Sequence, residues 1–428
     1  MQGLDAAEVA ALMAVEDPGL IEEIFAAARY VKEEIYGSRL VLFAPLYVSN
    51  YCQNECLYCA FRAQNKGLRR RALTMEEIRR ETEQLIRQGH KRLLVVAGEE
   101  YPAEQGFDYI LESIATIYDT RCERGEIRRV NVNVAPLAVE QYRELKAAKI
   151  GTYQIFQETF HRETYARVHT GGVKRDFDWR LSAVDRAMQG GIDDVGVGVL
   201  FGLYDWKFEV LALLENIEHL EREFGVGPHT ISVPRLEPAL GSSLASQPLR
   251  PVSDAEFRRL VAILRLAVPY TGIIMSTREN PDLRRETFAL GVSQISAGSR
   301  THPGGYAELG SEDLEAQFNL GDHRALDEVV RDVASLGYLP SFCTGCYRLG
   351  RTGKDFMDLA KPGEIKRHCA PNGLSTFLEY LLDYASESTR LVGEKLIRQE
   401  LARLDPEVRR ISEGLLAQVR AHRRDVLV

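Results

Sequence analysis

The chain has 428 residues, 45% apolar and 27% charged, with a net charge of −8. Such a composition excludes a disordered chain, and an acidic balance without a long basic block argues against a protein that works by gripping nucleic acid. No apolar run approaches the roughly 18 residues of a membrane span, and the first residues lack a basic stretch followed by an apolar one, so a cytoplasmic protein in a reducing compartment is expected.

Residues 1–37 read as an N-terminal helical extension rich in Ala, Glu and Ile and closed by Gly37. From 38 to 300, short β-branched runs alternate with amphipathic stretches. The candidate strands are 39–48, 92–97, 129–135, 152–157, 193–200, 229–236, 272–277 and 292–297. The clearest helix starts at Thr74, with Glu77 three residues on as a capping box and Gly89 as its stop. Eight strands alternating with helices predict an α/β fold, a (β/α)8 TIM-type barrel; an open doubly wound sheet is the alternative. Residues 301–340 shift in composition and read as a linker or closing segment. Residues 341–428 read as a C-terminal, mostly helical domain that carries cysteines.

Six of the seven cysteines fall in two groups: Cys52, Cys56 and Cys59, then Cys343, Cys346 and Cys369. Clustered thiols in a reducing compartment read as metal or cluster ligands rather than disulfides. The first group is C-x3-C-x2-C directly after the first strand, at the barrel mouth where active sites lie. Three thiolates are one short of a closed zinc site and one short of an ordinary four-thiolate iron–sulfur cluster. They suit a [4Fe-4S] cluster with one open iron; a zinc loop completed by a distant histidine, or three buried thiols, are the other readings. The second group, C-x2-C-x22-C, has the same shortfall, and His368 could complete a zinc site there. Cys122 stands alone and reads as a spectator. His161, His169 and His219 read as bland loop or surface residues.

The first cysteine loop, with Tyr58 before its last cysteine, resembles the signature of the radical S-adenosylmethionine (SAM) superfamily. The resemblance implies that the open iron binds SAM and that Tyr58 lies near the adenine. It also implies a SAM-binding turn at Gly98 and Glu99, and a carboxylate, Glu158, for the ribose or amino group. Gly196 and Gly198 would form a low-bulk wall beside the adenosyl group. Both cysteine groups together, with residues 43–50, 128–133, 225–232, 342–348 and 350–353, are similar to the radical SAM tyrosine lyases that mature [FeFe]-hydrogenase. Gly345 stands where that family usually has Ala, Phe160 where it has Tyr, and residues 300–302 vary.

That family cleaves L-tyrosine at Cα–Cβ to p-cresol and dehydroglycine. It then makes carbon monoxide and cyanide and builds an Fe(CO)2(CN) synthon held by a free cysteine. For this chain the resemblance therefore implies two [4Fe-4S] clusters, one of them auxiliary with an extra labile iron. It further implies an electron donor of the ferredoxin or flavodoxin type and other hydrogenase maturation proteins as partners. Within the barrel pattern, Arg278 after strand seven is the candidate for the tyrosine carboxylate, with Ser299 assisting and Arg300 competing. His229 falls at the start of strand six, at the barrel bottom; the resemblance makes it a ligand of the extra iron. The alternative function is a simpler tyrosine lyase that supplies dehydroglycine for thiamine thiazole synthesis; that group lacks the second cysteine motif.

Overall fold

The computed structural model describes residues 3–308 and 315–428; Met1 and Gln2 of the N-terminal extension and 309–314 of the closing segment lie outside the described residues. Its main sheet has nine parallel strands. They are β1 (Arg39–Ser49), β2 (Arg92–Ala97), β3 (Arg129–Asn133), β4 (Tyr153–Gln154), β5 (Val195–Gly198), β6 (Thr230–Ser232), β7 (Gly272–Met275), β8 (Val292–Ser296) and β9 (Leu339–Ser341). Strands β1 to β8 pair in order, and β8 pairs back onto β1 through Val41–Gln294, Leu42–Ile295 and Phe43–Ser296, which closes the barrel. The open-sheet alternative is thereby excluded.

Side chains alternate across each strand. On β1, Leu42, Ala44 and Leu46 are fully buried under the surrounding helices, whereas Phe43, Pro45 and Tyr47 face the lumen. Helix α1 (Ala6–Ala14) starts with an Asp5–Glu8 capping box, and α2 (Pro18–Tyr36) starts on Asp17 with proline in its first turn. Helix α3 (Met75–Gln88) carries the expected Thr74–Glu77 box and ends on Gly89 at φ 105°, a left-handed cap that suits glycine. Several strands stop earlier than the hydrophobic runs imply. The chain after β4 keeps backbone bonds to β5 and the residues that follow it as far as Glu158, which adopts φ 72° while its carbonyl accepts from the Leu200 amide at 2.9 Å.

The ninth strand has no counterpart in the eightfold pattern. Val41 pairs with Gln294 of β8 and also with Ser341 of β9. A residue in two ladders uses both strand edges, so β9 lies on the β2 side of β1, below the level where β2 begins. It follows helix α4 (Leu326–Ser335) and delivers Cys343 to the lower, N-terminal mouth of the barrel. Helices α5 (Gly345–Arg348), α6 (Lys366–Asp383), α7 (Glu387–Arg403) and α8 (Pro406–Arg420) follow, and α6 packs against β9, α7 and α8. Among the described residues no helix is long and apolar enough to cross a membrane.

Candidate active site

The two cysteine groups sit at opposite ends of the barrel. At the upper mouth, Cys52, Cys56 and Cys59 line one cavity together with Tyr58, Glu99 and Glu158. A short antiparallel ladder of Glu55–Cys56 with His169–Gly171 ties the cysteine loop to the chain after β4. Asn54, fully buried, donates to Glu99 Oε2 at 2.7 Å and accepts from the Lys174 amide at 2.9 Å. Gly98 is required by close approach: a Cβ there would stand 2.1 Å from the Tyr51 carbonyl oxygen. Burial raises the Cys52 thiol to about 11 and Cys56 well above the usual thiol value; burial likewise raises Cys59. Without metal these groups are therefore protonated thiols, and iron must displace their protons.

Tyr58 is held from outside the cavity. Its hydroxyl lies 2.8 Å from His169 Nε2, and His169 Nδ1 lies 2.9 Å from the Tyr165 carbonyl. A carbonyl only accepts, so Nδ1 carries the proton and Nε2 accepts from Tyr58. Burial pushes His169 down to about 2, so the imidazole stays neutral.

Beside Tyr58 lie four charged groups. Lys174 Nζ is 2.7 Å from Glu158 Oε1, Arg180 is 3.3 Å from the same oxygen, and Arg180 is 2.9 Å from Glu99 Oε1. Burial opposes the charge on Lys174 and Arg180, yet Glu158 and Glu99 hold both above their ordinary values. Glu158 stays ionised because Lys174 and Arg180 outweigh its burial. The cluster presents fixed ammonium, guanidinium and carboxylate groups to a zwitterionic ligand. Neither Lys174 nor Arg180 stands out in the sequence, where each reads as one more loop cation; only the fold reveals their burial.

Arg278 lines the same cavity, with its guanidinium 3.3 Å from the Phe318 ring centroid. Glu237 faces it across the wall and is pushed up to about 7 by burial and by Glu279. Ser299 falls outside this lining. Gly298 turns the chain at φ 59° just after β8, and the Ser299 Oγ is buried without a hydrogen bond. Gly196 and Gly198 are also absent from the lining, a correction to the wall expected of them. Their space is taken by β4, the residues just after it and β6: a Cβ on Gly196 would meet Thr230 Oγ1 at 2.6 Å and Gln154 Cγ at 2.7 Å, and one on Gly198 would meet Phe156 at 2.6 Å. The glycines make room for Gln154 and Phe156, which form the wall instead.

At the lower mouth Cys343, Cys346 and Cys369 line a second cavity with His229, Arg39 and Arg92. Burial raises the Cys343 thiol and lifts Cys369 to about 12. Burial works against the charge on Arg39, but Cys369, Cys343 and Cys346 together raise it. Arg92 donates to the Cys343 carbonyl at 3.1 Å and to Gln294 at 3.2 Å. His229 Nδ1 stands 3.3 Å from Asp194 Oδ1 without completing a hydrogen bond, and burial holds the imidazole neutral. Three thiols and a neutral imidazole thus line one cavity, and thiol and imidazole are donor types that iron accepts. Cys122 lies apart from both groups, in a two-strand turn with Gly125.

A closed parallel barrel with a C-x3-C-x2-C loop at its upper mouth defines a radical SAM enzyme, with a [4Fe-4S] cluster and SAM as cofactors. The radical SAM superfamily model matches residues 46–216, and the biotin and thiamin synthesis associated domain matches residues 232–339. The 2-iminoacetate synthase of Escherichia coli is 33% identical over 351 residues, 81% of this chain and 89% of that protein. A crystal structure of HydG, a maturase of the [FeFe]-hydrogenase, superposes with a TM-score of 0.95 at 52% identity, covering 100% of this chain and 92% of that one. HydG from Carboxydothermus hydrogenoformans superposes at 0.84 and 44% identity, covering 97% and 90%. The chain belongs to the HydG family of radical SAM enzymes.

Proposed function

We propose that the chain is an L-tyrosine lyase that breaks the Cα–Cβ bond to give p-cresol and dehydroglycine. It then forms CO and cyanide and builds an Fe(CO)2(CN) unit for [FeFe]-hydrogenase maturation. The observation that carries this reading is the second cavity: three thiols and His229 on the same barrel lumen as the first site. A lyase that only supplied dehydroglycine would have no use for it.

Cys52, Cys56 and Cys59 would hold the first cluster, which with bound SAM would supply one-electron radical chemistry at the upper mouth. Tyr58 packs beside the adenine. Gly98 and Glu99 meet the SAM amino group, and the Glu158, Lys174 and Arg180 group fixes its polar ends. Arg278 takes the tyrosine carboxylate, which orients the amino acid below SAM. Cys343, Cys346 and Cys369 hold the auxiliary cluster. His229, held neutral by burial, would bind the extra iron, which free cysteine would complete. A ferredoxin- or flavodoxin-type protein supplies electrons, and other maturation proteins receive the synthon.

The test is incubation of reduced, reconstituted protein with SAM and tyrosine. The expected products are p-cresol, cyanide and iron-bound CO. Cresol without cyanide or CO would establish the dehydroglycine-supplying alternative, which the 33% identity to 2-iminoacetate synthase keeps in view. Intact SAM would defeat both.

A further inference from the structure

Gln317 touches the first cysteine loop twice, although 258 residues separate it from Cys59. Its backbone carbonyl accepts from the Ala60 amide at 3.3 Å, and its own amide donates to the Thr301 carbonyl at 2.9 Å. Its side chain bridges two groups: Oε1 accepts from the Tyr47 hydroxyl at 2.7 Å, and Nε2 donates to Cys59 Sγ at 3.7 Å. The orientation of this amide is fixed by chemistry. Once iron has displaced the Cys59 proton the sulfur only accepts, so the nitrogen faces the sulfur and the oxygen is left for the hydroxyl. Tyr47 is itself held, 5% exposed, with its ring edge-on to Phe61 at 6.0 Å. The bridge is therefore anchored at both ends within the cavity wall.

We propose that Gln317 is a positioning residue that raises the reduction potential of the cluster at Cys59 through its N–H···S hydrogen bond. This rests on the reading that Cys52, Cys56 and Cys59 hold a [4Fe-4S] cluster. Reduction adds one electron from a ferredoxin- or flavodoxin-type donor and takes the cluster from the 2+ to the 1+ state. No bond forms or breaks, and Gln317 keeps its protons. The reduced state carries more negative charge on its sulfurs, so an N–H donor favours it over the oxidised state. Tyr47 prevents the amide from swinging away, which makes it the second half of the device.

The experiment is an EPR-monitored redox titration of the full, reconstituted chain with SAM, following the cluster signal that shifts when SAM is added. Gln317→Leu removes the donor and keeps the bulk. At one fixed solution potential its ratio of reduced to oxidised cluster should fall roughly fivefold, a fraction of one charge-assisted hydrogen bond because the bond is made in both oxidation states and is only stronger in the reduced one. Tyr47→Phe leaves the backbone bonds of Gln317 intact and releases only its amide, so the ratio should fall in the same direction but less. An unchanged midpoint in Gln317→Leu, with iron content equal to that of the parent, overturns the proposal. If Gln317→Leu fails to hold its cluster, an unchanged midpoint in Tyr47→Phe overturns it instead. A parent protein whose cluster signal ignores SAM would defeat the first-site reading itself. A SAM-responsive signal with unchanged midpoints defeats only the role of Gln317.

Discussion

Cys56 is buried between Tyr58, Lys174 and the ladder to His169, and its thiol is driven well above the usual range. No neighbour replaces it as a ligand. Cys56→Ala is expected to abolish 5′-deoxyadenosine formation from SAM, measured by chromatography of a reduced, anaerobic reaction. The lower site should fail differently. The double variant Cys343→Ala, Cys346→Ala should still release p-cresol while infrared bands of iron-bound CO and cyanide disappear; persistent bands would break the division of labour. His229→Ala should keep p-cresol and both four-iron cores but lower the iron–carbonyl yield, and an unchanged fifth-iron EPR signal would return His229 to a structural role. The six cysteines were legible because a metal site imposes spacing on its ligands. Gln317, Lys174 and Arg180 were not, since their roles come from burial and distant contacts. Ser299 and the Gly196–Gly198 pair show a subtler limit. A residue can sit at the right end of the right strand, yet a left-handed turn at Gly298 or a large neighbour such as Phe156 removes it from the cavity.

Among the elements, the loop after β4 is held from behind by the Trp206–Phe224 helix. Glu209 on that helix is 1% exposed; it accepts from the Phe160 amide at 2.9 Å and from the Thr159 hydroxyl. These bonds fix the segment next to Glu158, whose φ of 72° a free chain would avoid. Burial pushes the Glu209 carboxyl from 4.5 up to about 7, against the pull of the two donors. The folded state therefore keeps a proton that the unfolded state has lost. The stability from this group is complete below the unfolded value and is lost as pH rises through the folded one, up to about 3 kcal/mol. Urea unfolding of the metal-free chain should show stability falling between about pH 5 and about pH 8, and Glu209→Gln should flatten that fall. An equal slope in the variant would mean another group carries it. Element types read well from sequence wherever periodicity was long, as in α3. Strand β9 was hidden because it is three residues long, contains Pro340 and owes its pairing to β1, which no local pattern announces.

For the whole molecule, strand register connects the two sites. The upper cavity is lined by Phe43, Leu94 and Ser296; the lower one by Val41, Arg92 and Gln294. On each strand these are residues two apart, successive inward layers about 7 Å from each other along the barrel. The floor of one cavity is thus the roof of the next, which supports transfer of small products through the lumen. Gly196 stands at this junction, paired with Thr230 and packed against Gln154. Gly196→Val would drive a branched side chain into positions only 2.6 Å from Thr230 Oγ1 and 2.7 Å from Gln154 Cγ, forcing Gln154 across the lumen. The overpacking should cost about 1–3 kcal/mol, small enough for a chain with this core to fold. Gln154 also lines the upper cavity, so some loss of p-cresol is expected, and iron-bound CO and free cyanide are read per p-cresol formed. Iron-bound CO should fall, and cyanide free in solution should rise, because products made above the block must leave by the upper mouth. Gly196→Ala, with less bulk, should fall between the variant and the parent. Equal iron–carbonyl yield per p-cresol in Gly196→Val and the parent, at equal cluster content, would show that the two sites do not communicate through the barrel.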